Sequence, residues 1–93
     1  MPPKKERYKE YEERIKQVIS ILSVISEDKT TPRNIRQAAK DAVDALNVND
    51  QTQAVRAAQA ISLLEEIGLD TNMPPYTRTR IWNVVSLLAV IKE

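Results

Sequence analysis

The sequence predicts an all-α protein, a compact four-helix up-and-down bundle built from two tandem helix-turn-helix units, on three observations. The chain repeats itself at an offset of 42 residues with no gap, pairing Ile19 with Ile61, Leu22 with Leu64, Asp28 with Asp70, Pro32 with Pro74, Arg36 with Arg78, Val43 with Val85 and Leu46 with Leu88. Within each copy, apolar residues recur at steps of three and four, which places their side chains on one face of a helix. Short runs rich in Asp, Asn, Thr and Pro separate these stripes, stopping one helix and starting the next.

Helix one is expected over about 6–27, behind a flexible tail at 1–5. Tyr8, Tyr11, Ile15, Val18, Leu22 and Ile25 form its apolar stripe, and the mixed charges around Arg7 and Lys9 read as a solvated helix start. Helix two, about 32–47, carries Ile35, Ala38, Ala39, Ala42, Val43 and Leu46, with Thr31 expected as N-cap and Pro32 at the first helical position. Helix three, about 51–67, is expected to begin with an Asp50/Gln53 capping box and to bury Val55, Ala58, Ile61, Leu64 and Ile67. Gly68, the only glycine, is expected to end it in the left-handed conformation. Helix four, about 75–92, opens with Pro74 and Pro75 and is apolar nearly all round, so packing on two of its sides is expected.

Short connections favour antiparallel neighbours and hence the closed bundle. A HEAT-like two-repeat fragment is the alternative, disfavoured because stacked repeats need three or more units to bury a core. At 93 residues, with 42% apolar and 29% charged side chains, the chain fits one domain over 6–93 that folds without a partner.

Composition excludes several functions. With 14 basic and 13 acidic residues the net charge is +1, so no global field draws the protein to nucleic acid or anionic lipid. The absence of cysteine removes disulfides and thiolate chemistry, and the absence of histidine removes the commonest general base and metal ligand. One glycine rules out a phosphate-binding glycine loop, and no apolar run approaches a membrane span. A cytoplasmic, cofactor-free protein that is not an enzyme is therefore expected. The adjacent carboxylates Glu12/Glu13, Asp41/Asp44 and Glu65/Glu66 read as solvated helix faces rather than acid-base pairs.

The strings Thr31-Pro32-Arg33-Asn34-Ile35-Arg36 and Asn72-Met73-Pro74, followed by Thr77-Arg78-Thr79-Arg80-Ile81-Trp82, resemble the two signature turns of a small archaeal family, uncharacterised protein family 0147. The resemblance covers the chain from about Ile15 onward. It implies a compact four-helix protein of the archaeal cytoplasm with no assigned activity, and carries over no catalytic residues.

Two surfaces are candidates for binding. In an up-and-down bundle helices two and four start at the same end, which gathers Lys29, Arg33, Arg36, Arg78 and Arg80 as a dock for an anion or an acidic partner. The competing and favoured reading is that these cations balance the C-termini of helices one and three and nearby acids. On that reading Arg36 and Arg78, aligned across the repeat, are structural, whereas Arg33 and Arg80 break the symmetry and are the better binding candidates. Ile81, Trp82 and Val85 are the second candidate, a hydrophobic interface on helix four, against the alternative that Trp82 is core. A noncatalytic protein-interaction module, including a self-associating one, is the leading expectation. An RNA- or ribosome-associated protein gripping phosphates with the arginine-bearing end is the alternative.

Overall fold

A computed structural model describes residues 4–92. Its elements are α1 (Lys4–Glu27), α2 (Arg33–Leu46), α3 (Gln53–Ile67) and α4 (Pro75–Ala89), with no strand among the described residues. Helix α1 thus starts at Lys4, inside the expected tail, and residues 1–3 of that tail lie outside the described residues. Each helix packs on the next and α1 also packs on α4, closing a ring in which the diagonal pair α2 and α4 do not meet. Direction follows from hydrogen bonds at the two ends. Gln53, first in α3, donates to the Tyr8 carbonyl near the start of α1 at 2.8 Å, while Tyr76, near the start of α4, donates to Asp28, just past the end of α1, at 3.2 Å. The helices therefore alternate up and down.

Repeat symmetry governs the core. Buried Ile15, Val18 and Leu22 of α1 align with Ala57, Ala60 and Leu64 of α3, while Ala39, Ala42 and Leu46 of α2 align with Ile81, Val84 and Leu88 of α4. Small residues thus fall on α2 and α3, the pair in most extensive contact, and bulky ones on α1 and α4. Alanine lets two helix backbones approach toward the close end of the roughly 8–10 Å interaxial range, and the larger side chains fill the wider side. A second exchange closes the turn-bearing end. Thr31 and Ile35 in the first unit align with Met73 and Thr77 in the second, all four buried, so threonine and a larger residue trade places.

Several local expectations are corrected. The buried face of α3 is Ala57, Ala60 and Leu64, and Ala58 is exposed, while Val55, Ile61 and Ile67 are half-buried beside it. Tyr8 is 45% exposed rather than part of a buried stripe, because the core begins deeper, at Ile15. Thr31 is not a cap. Pro32 itself occupies the N-cap position, its carbonyl accepting from Ile35 and Arg36 at 3.1 Å, while Thr31 is buried beneath the turn. For α3 the cap is Thr52, whose hydroxyl accepts the Val55 N–H at 3.2 Å, which frees Gln53 to reach α1. Helix α4 packs against both α1 and α3, its fully buried face being Thr77, Ile81, Val84 and Leu88 with Val85 and Leu87 half-buried beside it, and Trp82 is 39% exposed.

Gly68 has φ −62° and ψ −15°, right-handed rather than left-handed, so conformational freedom is not its role. A Cβ there would lie 3.1 Å from the Leu64 carbonyl oxygen and 3.1 Å from Cζ2 of Trp82. Glycine is what lets the indole lie against the end of α3.

The register of α3 is open to direct test by chemical denaturation. Ala60→Leu should cost about 1–3 kcal/mol through overpacking, whereas Ala58→Leu should stay within about 0.5 kcal/mol of the parent. The reverse order would restore the face expected from the larger residues.

Candidate anion-binding end

Each turn at this end is built on an aspartate. Asp28 accepts the Thr30 N–H at 2.9 Å and its hydroxyl at 2.6 Å, and Asp70, its repeat partner, accepts the Asn72 N–H at 2.8 Å. These side-chain to backbone bonds, spanning two residues, shape the reversal as a backbone turn would. The other carboxylate oxygen of each reaches into the opposite unit: Asp28 accepts from Tyr76 and Asp70 from Asn34, and Asn34 and Tyr76 are themselves repeat partners. The start of each unit's second helix is thereby tied to the turn of the other unit. Both carboxyls are held below the ordinary aspartate range, Asp28 chiefly by the Thr30 hydroxyl and Asp70 chiefly by the Asn72 N–H.

Among these acids the five candidate cations have different fates. Arg78 is structural: its guanidinium donates to the Gly68 carbonyl and, at 2.8 Å, to the Asp70 carbonyl, closing the C-terminus of α3. Arg80 is exposed, its guanidinium 5.8 Å from the ring centre of Tyr76. Lys29 is exposed on the first turn. Arg36 departs from the expected symmetry. It does not close α1 as Arg78 closes α3, and its Nε is buried with no hydrogen-bond partner among the described residues. With Arg33, Gln37 and Lys40 it lines a cleft of about 430 Å³ against Ser26 and Glu27 at the end of α1. Lys40 is not among the candidates the sequence suggested, although residues 33, 36, 37 and 40 have the spacing of one helical face.

On helix four the three hydrophobic candidates separate as well. Ile81 is fully buried and so lies beneath the surface; Val85 packs at the core's edge; Trp82 alone is partly exposed, at 39%.

The opposite end of the bundle holds a polar cluster that periodicity does not signal. Arg56 pairs with Glu12 and donates to the Leu46 carbonyl at 3.0 Å, closing α2, while Gln53 donates to Glu12 at 2.9 Å. That hydrogen bond from the Gln53 side chain, reinforced by Arg56, holds the Glu12 carboxyl below its ordinary value despite partial burial. A cleft of about 550 Å³ adjoins it, lined by Arg7, Tyr8, Arg56 and Lys92 among others.

Fold and site together define a two-repeat four-helix bundle with an open, cation-lined cleft in one repeat. The chain belongs to the uncharacterised protein family UPF0147, whose family model matches residues 3–91. A UPF0147 protein of Sulfurisphaera tokodaii is 52% identical over 88% of this chain and 92% of its own length. One from Pyrococcus furiosus is 53% identical over 71% of each chain. A crystal structure of a family member from Thermoplasma acidophilum, 28% identical, superposes with a TM-score of 0.82 over 87% of this chain and 95% of that one. A crystal structure of a protein of unknown function, 49% identical, gives 0.84 over 86% and 91%. Among the described residues no helix is long and apolar enough to cross a membrane.

Two measurements check this geometry. Gly68→Ala should move Trp82 emission to the red as the new methyl lifts the indole, with stability changed by no more than about 1 kcal/mol because alanine favours helix; unchanged emission would contradict the contact. The acid limb of stability tests the carboxylates. Because Glu12, Asp28 and Asp70 bind protons less readily folded than unfolded, their stabilisation is present at neutral pH and lost as pH falls through the folded values. The melting temperature should be flat from pH 8 to 5 and fall below about pH 4, and Asp28→Asn with Asp70→Asn should flatten that fall.

Proposed function

We propose that the protein is a noncatalytic interaction module that holds a protein partner at the arginine-bearing end, on the α2 side. The observation that carries this reading is the unequal use of two symmetry-related arginines. Arg78 is fully engaged in closing a helix, whereas Arg36 faces an open cleft beside Arg33 and Lys40, and none of these three has a hydrogen-bond or ion-pair partner among the described residues. A cation that only balanced a helix terminus would take the place of Arg78.

The acids support a noncatalytic role. A general acid or base working near neutral pH needs a carboxyl raised toward neutrality, and the three displaced carboxyls all move the other way, held by turn and helix-start bonds.

The test is a tagged pull-down from archaeal lysate at low and high salt, with and without ribonuclease, using the parent and Arg33→Gln/Arg36→Gln. A defined protein that survives nuclease and is lost from the double variant is the expected result. Recovery of RNA or ribosomal proteins that vanish with nuclease would replace this reading with the RNA-associated one. Recovery of the chain alone, confirmed as a dimer by sedimentation, would make self-association the function.

A further inference from the structure

We propose that the cleft between the last turn of α1 and the outward side of α2 is the docking groove for a short acidic segment of a partner protein. The inference rests on the interaction-module reading and names the chemistry of its partner. Its basis is a comparison of the molecule with itself. The cleft residues Ser26, Glu27, Arg33, Arg36, Gln37 and Lys40 align across the repeat with Gly68, Leu69, Pro75, Arg78, Thr79 and Trp82. In the second unit this place is filled: the indole of Trp82 lies against Gly68, and Arg78 turns inward onto the Gly68 and Asp70 carbonyls. In the first unit lysine stands where tryptophan would be and serine where glycine would be. The place is left open, and a row of cations faces it.

An open version of a position that its twin plugs with an aromatic ring has room for an occupant, and its lining states the occupant's charge. Arg33, Arg36 and Lys40 supply three positive charges against the single negative charge of Glu27. The Nε–H of Arg36, like those of Arg7 and Arg56, is buried without an acceptor among the described residues, but unlike Arg56 and Arg78 the rest of its guanidinium has no partner there either, which leaves it available to a carboxylate in the cleft. Along α2 the cations are separated by three and four residues, rises of about 4.5 and 6 Å. Carboxylates one turn apart on a helical segment, or two residues apart on an extended one, recur at about that interval.

Charge also selects against nucleic acid. Asp41 follows Lys40 directly and accepts from Gln37 at 2.9 Å, Asp44 stands one turn further on, and Glu27 closes the α1 side. The positive strip is therefore about two turns of helix long and bounded by acids. A phosphate backbone continuing past it would run into carboxylates, whereas a segment with two or three acidic residues fits inside.

The test is fluorescence anisotropy with a labelled twelve-residue peptide carrying glutamates at positions 3, 6 and 10, against its glutamine counterpart and a labelled single-stranded RNA twelve-mer. Arg36 Nε–H is followed in parallel by nitrogen-proton correlation NMR. Saturable binding of the acidic peptide, a shifted Arg36 Nε–H signal and at least tenfold weaker binding of the glutamine peptide and the RNA are expected. Arg36→Gln should weaken binding about tenfold, the equivalent of one charge-assisted hydrogen bond, and Lys16→Gln on exposed α1 should leave it unchanged. Ser26→Gly with Lys40→Trp, which rebuilds the plug of the second unit, should abolish binding while helical content is retained. No saturable binding, preference for the RNA, or equal binding by Arg36→Gln would overturn the proposal. If the lysate partner is captured undiminished by Ser26→Gly/Lys40→Trp, the cleft assignment falls while the interaction-module reading stands.

Discussion

Four alanines set the geometry on which the molecule depends. Ala39 and Ala42 on α2 and Ala57 and Ala60 on α3 are all buried in the one core, and side chains this small permit close approach of the two inner helices, which pack on each other. Once that contact is made, the size of every other core residue is constrained, because α1 and α4 must span the space left on the far side with Ile15, Val18, Ile81 and Val84. The order large, small, small, large around the ring is a property of the whole chain. Neither unit contains it alone, since the first reads large then small and the second small then large. Repeat similarity in the turns and leucines coexists with this complementarity in the core.

The turns add a second constraint of a different kind. Hydrophobic burial is tolerant of sliding, whereas a hydrogen bond at fixed distance is not. Asp28 and Asp70 each shape their own turn with one oxygen and hold the opposite unit with the other. The level of each helix start is thus referenced to the other unit, which keeps α2 and α4 in step although they do not touch. At the far end, Arg56 does comparable work with Glu12 and the Leu46 carbonyl.

Much of this architecture is legible in the residues themselves. The ungapped repeat and the paired proline turns locate all four helices, since their signals are short-range and depend on residue type. The face of α3 is not legible in the same way, because periodicity weighs large apolar residues above alanine, whereas the fully buried face is carried by Ala57 and Ala60 with Leu64. Gly68 misleads because a glycine past a helix end commonly supplies left-handed backbone, whereas here it makes room for a ring fourteen residues away in sequence. The arginine end is evident from the repeat, yet the roles within it are not. Arg36 and Arg78 are paired by the repeat, which also sets serine against glycine and lysine against tryptophan, but only the fold shows that the glycine and tryptophan pack together beside one arginine while the serine and lysine line an open cleft beside the other.

That difference has a consequence for how such a molecule can change. Two separate copies of one helical hairpin, paired by symmetry, would carry any substitution in duplicate, so sealing one side with an indole would seal both. Linking the hairpins through residues 47–52 releases the two sides from that obligation. One side can be committed to holding the scaffold shut, and its twin is then free to vary without loss of the fold.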